Sequence, residues 1–363
     1  MLAFAALAPF VVNAQLDSRQ RTPETVVADA LAQLPAETPR EYNQIMKELA
    51  FTGSEGVEML AAMLVPASEG QNAKVEYALN GMVDFVTAKG MEANAVEVKK
   101  GLKAALDKCT DNANKAFLMT LLQISATAED ADTFVKYLSD SYLADYAIRG
   151  LISTPGTEEV ILDLVKNDGA SRAALAYAVA EKGVDGAESY LLAWLPEADD
   201  AQKAQIYYAL SKTGTVASLK TLADAAKAVG YAFEATDATG AYVALLNRLV
   251  EQGDQKSAVA AAKALLKSDR SNIKSDGLSV LVRAQGKDAM PQVLAALKSP
   301  DKAYRYAALL ATEPFVDDEV YAAVAKKYKS ASDEAKIDII NWLGASHAAS
   351  QIDLVVSAIG DEN

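Results

Sequence analysis

The chain has 363 residues, 51% of them hydrophobic and only 7% aromatic, and carries a formal net charge of −14 with a pI near 4.7. An acidic balance of this size leaves no electrostatic footprint for phosphate backbones or an anionic membrane surface, which excludes nucleic acid as an expected partner. The abundance of alanine and scarcity of aromatics suit closely packed helices better than strands, and the single cysteine, Cys109, rules out an intramolecular disulfide.

Residues 1–12, MLAFAALAPFVV, form an apolar run followed by Asn13-Ala14-Gln15. This has the form of the apolar segment of a signal peptide, with Val12 and Ala14 as the small residues ahead of cleavage before Gln15. The usual basic residues are missing: either Met1 is not the true start, or the run is an apolar N-terminal helix. It is too short to span a bilayer, which takes about 20 apolar residues. The expectation is residues 1–14 as signal peptide, 15–39 as lead-in and first helix, and 40–363 as one repeat domain.

Thr22-Pro23-Glu24 opens a first helix that runs through Leu34, and Pro35 and Pro39 then punctuate the chain. From there a unit of two helices and a turn recurs. Its clearest copy is Arg270–Ser299, where Ile273, Leu278, Leu281 and Val282 are helically spaced, Gly286 breaks the pattern, and a second helix begins near Met290 with Pro291 in its first turn. The breaks within successive pairs fall at Gly53, Gly90, Thr127, Gly156, Gly183, Gly214, Gly253, Gly286, Pro314 and Gly344, 27 to 39 residues apart. Four residues before a break stands an apolar residue: Leu49, Val86, Ile152, Val179, Leu210, Leu249, Val282, Leu310 and Ile340, with Gln123 the exception. One helical pair cannot bury such stripes alone, so the spacing predicts an all-α α-solenoid of about ten helical hairpins. The longest unit contains Gly230–Gly240, read as a loop or short extra helix and as a place for a functional contact through Tyr231 and Phe233.

Residues that could carry chemistry are few. His347, the only histidine, lies in the expected turn GASHAAS, away from any strand-and-elbow setting for a nucleophile. One histidine and one cysteine cannot build a structural zinc site, and Cys109 continues a helical stripe as a small buried hydrophobe. Asp185, Asp288, Asp317 and Asp318 precede second helices, where carboxylates cap free N–H groups, and Glu129, Asp130 and Asp132 read the same way. No phosphate-binding glycine loop or metalloprotease motif is present. Trp194 and Trp342 lie in apolar stripes and read as core. Tyr190 and Tyr321 each follow a break by seven residues and could share a surface, which makes them binding candidates. No catalytic, cofactor or metal residue is assigned.

With units of this length, glycine at the turn and the Leu294-x-x-Leu297 second helix, residues 40–360 resemble HEAT-type solenoids, in particular the short HEAT-like repeats of phycobilisome lyases. Thr127, Pro314 and the long unit near Gly240 depart from that pattern. Glu41-Tyr42-Asn43 and Gly53-Ser54-Glu55-Gly56 soon after the apolar start are similar to the repeat region that precedes a jelly-roll domain in secreted bacterial proteins of the 3-keto-disaccharide hydrolase type. The resemblance implies a non-catalytic scaffolding solenoid tied to carbohydrate metabolism, exported to the periplasm or outer membrane of a Gram-negative bacterium. It would hold a protein partner or a downstream domain, and it needs no cofactor and no membrane span in the mature chain. The alternative is an all-α carbohydrate-active enzyme built as a barrel of helical hairpins, with carboxylates as acid and base.

Overall fold

The structure, a computed structural model, describes residues 21–360; the expected signal segment lies outside them. Every regular element among the described residues is helical, so the fold is all-α, and no helix there is long and apolar enough to cross a membrane. The described residues fall into two compact units, one ending at Val160 and one beginning at Ile161.

The first unit contains α1 (Pro23–Gln33), α2 (Pro39–Ala50), α3 (Gly53–Ala62), α4 (Ala73–Phe85), α5 (Glu92–Lys108), α6 (Asn112–Ser125), α7 (Ala131–Val135) and α8 (Ala144–Ser153), and the boundary falls within α9 (Glu158–Lys166). Helix α1 starts where the sequence places it, with Thr22 as N-cap and Pro23 in the first turn, and α2 adds a reciprocal capping box between Thr38 and Glu41. Even-numbered helices pack on one another, α2 on α4, α4 on α6 and α6 on α8, while α3 packs on α5. The last contact is close because Gly101 of α5 lies directly on α3. A Cβ there would come within 2.7 Å of the Ser54 carbonyl oxygen and of Val57.

The second unit repeats the scheme with α10 (Arg172–Lys182), α11 (Glu188–Trp194), α12 (Asp200–Thr213), α13 (Val216–Ala228), α14 (Ala238–Glu251), α15 (Gln255–Leu265), α16 (Ser271–Gln285), α17 (Met290–Ala296), α18 (Lys302–Leu310), α19 (Asp318–Tyr328), α20 (Asp333–Ala345) and α21 (Ile352–Ala358). Here α10, α12, α14, α16 and α18 each pack on the next first helix, and the second helices α11, α13, α15, α17 and α19 each lie against the first helix of the following pair. Of the predicted stripe residues, Val179 and Leu210 are at 0%, Leu249 at 1% and Val282 at 5% exposure, and their neighbours Leu175, Leu246, Leu281 and Leu309 are at 0%, so packing between helices removes these positions from water.

The expected junctions from Gly53 to Pro314 all lie at or between helix ends. Gly286 has φ of 56°, the positive backbone angle that the sequence reading assigns to it, and α17 begins at Met290 with Pro291 in its first turn. Gly344 is a correction: it lies inside α20, and the turn comes at Ser346–Ala348, where His347 takes the left-handed conformation at φ 52°. Three stripe positions are not fully buried, and Ile152, in α8, is one that keeps part of its surface in water. Leu310 is 42% exposed, and Ile340 is only partly buried.

Polar bonds between neighbouring pairs repeat the same spacing. Tyr208 donates to Glu181 at 2.8 Å, Arg283 to Glu251 at 3.2 Å and Arg305 to Asp338 at 2.7 Å, across 27, 32 and 33 residues. Glu188 of α11 accepts from the Thr215 backbone N–H and hydroxyl, both at 2.8 Å, and so caps the start of α13 in the next pair. Rings also meet across pairs: Tyr42 on Tyr77 at 5.7 Å and Tyr177 on Tyr208 at 6.4 Å.

In the first unit the strongest polar tie is Asp130, 3% exposed, at the turn before α7. Lys99 and Lys103 of α5 each reach its carboxylate at 2.8 Å, and the Thr127 N–H donates to it at 2.9 Å. Burial alone would raise its pKa, but hydrogen bonds from Lys103, Lys99 and Thr127 outweigh burial and hold the carboxyl well below the ordinary range. A folded value below the unfolded one stabilises the protein above about pH 4, and that stabilisation is lost as pH falls. Asp130→Asn is therefore expected to cost the first unit about 2–3 kcal/mol at pH 7, with the gap to the unaltered chain narrowing toward pH 3. Urea unfolding followed by circular dichroism at several pH values measures both the cost and its pH slope.

Candidate functional site

A cleft with convergent polar and aromatic side chains lies in the second unit, between α18 and α20, with a volume of about 500 Å³. Helical spacing builds both walls. Lys302, Tyr306 and Leu310 stand at i, i+4 and i+8 of α18, and Asp338, Asn341, Trp342 and Ala345 at i, i+3, i+4 and i+7 of α20, so each set lies along one face. Glu313 and Val316 enter from the short connection after α18, and Tyr321 enters from α19, whose N-cap Asp317 accepts from the Val320 N–H at 3.1 Å.

Two buried charges fix the floor. Arg305 is 2% and Asp338 6% exposed, and the Arg305 Nε donates to Asp338 Oδ2 at 2.7 Å. The Arg305 Nη1 also donates to the carbonyls of Ser299 and Pro300, at 2.9 and 3.0 Å, which pins the guanidinium to the turn before α18. One aromatic wall is equally fixed. The Tyr321 hydroxyl donates to the Ser346 carbonyl at 2.9 Å, and its ring leans on Trp342 with centroids 5.5 Å apart. Tyr306, by contrast, leaves 53% of its surface in water.

Of the four binding candidates named from sequence, only Tyr321 lines this cleft, where it is joined by Trp342 and Leu310, which the sequence reads as packing residues. Tyr190 is exposed on α11 and is not part of its lining, so the surface expected to unite Tyr190 with Tyr321 is not seen in this cleft. Tyr231 and Phe233 lie in the loop between α13 and α14, which contains no extra helix. Phe233 is 94% exposed, while Tyr231 is half-buried with φ of 56°. Glu234 organises that loop by accepting from the N–H groups of Thr236 and Ala238 and from the Thr236 hydroxyl, and Arg270 Nη1 bonds the Gly230 carbonyl at 2.9 Å. These bonds to its backbone hold its carboxyl below the ordinary range.

Cys109 corrects the expectation of a buried hydrophobe. It is the half-buried C-cap of α5, where burial pushes its thiol pKa up and away from reactive thiolate chemistry. His347 is exposed in its turn, and Trp194 is buried under the Arg172 guanidinium at 5.4 Å. Among the described residues no group of three His, Cys, Asp or Glu side chains could hold a metal ion. Sequence reasoning missed Tyr306, Asn341, Glu313 and the Arg305–Asp338 pair. The available signal was a charged residue in the inward stripe of two successive first helices, Arg305 and Asp338, 33 residues apart.

Compared with known proteins, the chain matches no family model and no curated sequence.

Arg305→Met leaves Asp338 buried without its cation, and Asp338→Leu leaves Arg305 without its anion. Each is expected to cost the second unit about 3–5 kcal/mol, whereas the double substitution Arg305→Met/Asp338→Leu recovers most of that loss. Both tryptophans, Trp194 and Trp342, belong to the second unit, so urea unfolding followed by tryptophan fluorescence reports this cycle directly.

Proposed function

We infer that the chain is a non-catalytic binding or scaffolding module of the HEAT type, part of an exported bacterial protein, that offers uncovered helical surface to a protein partner or a downstream domain. The observation that carries this reading is α21. None of its residues is buried, and Ile352, Val356 and Ile359, at i, i+4 and i+7, form an apolar stripe whose members are 57%, 58% and 81% exposed. Leu354 and Val355 pack against the core, so the helix is docked through them and leaves Ile352, Val356 and Ile359 in water. An uncovered stripe of this kind costs solubility and is characteristic of an interaction surface. Phe233 adds a second exposed anchor on a loop whose backbone is tied down by Glu234 and Arg270.

The carbohydrate-active alternative has one observation in its favour, the presence of two carboxylates, Glu313 and Asp338, in the same cleft. The two readings separate in one set of experiments. A photo-crosslinking amino acid placed at Ile359 or Phe233, in cells exporting the full protein, is expected to capture one recurrent partner or an adjoining domain. Purified, that partner should bind more weakly by at least tenfold to Ile352→Asp/Val356→Asp. No crosslink at either position, together with glycoside turnover abolished by Glu313→Gln, would replace the scaffolding reading with the enzymatic one.

A further inference from the structure

The cleft between α18 and α20 carries a recognition chemistry of its own. Asp338 is more than nine-tenths buried, and only Oδ2 is engaged, by Arg305. Among the described residues no hydrogen bond reaches its Oδ1, although the side chain lines the cleft. A carboxylate oxygen is an acceptor only, so whatever meets Oδ1 must donate. Arg305 already neutralises the charge, which removes the main advantage a cationic donor would have over a neutral one. A phosphate or carboxylate ligand would bring only acceptors to an acceptor.

The rest of the lining narrows the class further. Asn341 is exposed and free of side-chain bonds among the described residues, and it offers both a donor and an acceptor beside Asp338. At the rim Lys302 and Glu313 cancel in charge. Tyr306, 53% exposed, lines the cleft from α18, across from these groups of α20, and an aromatic ring face attracts weakly positive C–H bonds. Tyr321 and Trp342 are already locked to each other and to Ser346, so that wall needs no ordering when a ligand arrives. A ligand that matches all of this is uncharged, bears adjacent groups that donate and accept, and has an apolar C–H face. We propose that the cleft binds a neutral saccharide unit, with hydroxyls on Asp338 Oδ1 and Asn341 and its C–H face on Tyr306. This site is independent of the α21 surface, and its failure would leave the protein-binding reading standing.

The test uses the full chain. Trp194→Phe leaves Trp342, on the cleft wall, as the only tryptophan, and its fluorescence is followed during titration with sucrose, trehalose, maltose and cellobiose. Glucuronate, glucosamine and an acetylated, amidated tripeptide are titrated in parallel, and calorimetry on the unaltered chain provides a second readout. At least one neutral disaccharide is expected to give a saturable response that weakens about tenfold in Tyr306→Ala and in Asn341→Ala, with circular dichroism unchanged. These two positions are chosen because they lie on the surface, whereas Asp338→Asn also disturbs the buried pair. The proposal is overturned if no neutral disaccharide saturates, if the response survives both substitutions, or if the peptide binds more tightly than every sugar.

Discussion

Within each of the two units, the fold depends on each helical pair covering the apolar stripe of the one before it. A pair of short helices has too little interior to offset the entropy of ordering it, and the side chains that would form its core point outward. Stacking supplies the missing wall. Leu210 of α12 and Leu246 of α14 reach complete burial because first helices lie directly on first helices. The polar bonds that recur at about the repeat length, from Glu181–Tyr208 to Arg305–Asp338, add direction to a force that has none of its own, and fix how one pair sits on the next.

The same constraint explains where specialised surface can appear. Inside a stack nearly every apolar position is committed to a neighbour, so departures arise where packing is interrupted: the loop before α14, the cleft beside α18 and the outer face of α21. At the cleft, a buried arginine and aspartate replace apolar residues in two successive first helices. A buried ion pair adds little net stability over hydrophobic residues of the same volume, so its part here is orientation: it fixes α18 on α20 and holds the Asp338 carboxylate at the cleft floor. Leu310 becomes exposed for the same reason: its helix face looks into an opening instead of another pair.

Local chemistry was legible in the sequence wherever one residue determines one conformation. Thr22-Pro23 marked the start of α1, Gly286 the turn and Pro291 the first turn of α17. Gly344 misled because a glycine can also sit within a helix, while the turn it was meant to mark is made by His347 in a left-handed conformation unusual for its type. Asp130 was legible as a cap but not as a buried carboxylate, because Lys99 and Lys103 reach it from a different helix. Of the cleft, only Tyr321 was legible as a binding candidate. The cleft residues come from α18, α19 and α20 and the connection between them, and their convergence is a product of stacking that no single helical pattern records.

Native-state hydrogen–deuterium exchange tests the stacking account most directly. If neighbouring pairs stabilise one another, amides of α12, α14, α16 and α18 exchange as a slow cooperative group, and α21, covered on one face only, exchanges fastest in its unit. Independent exchange of each helical pair, or protection of α21 equal to that of α16, would contradict the claim that each pair depends on its neighbour.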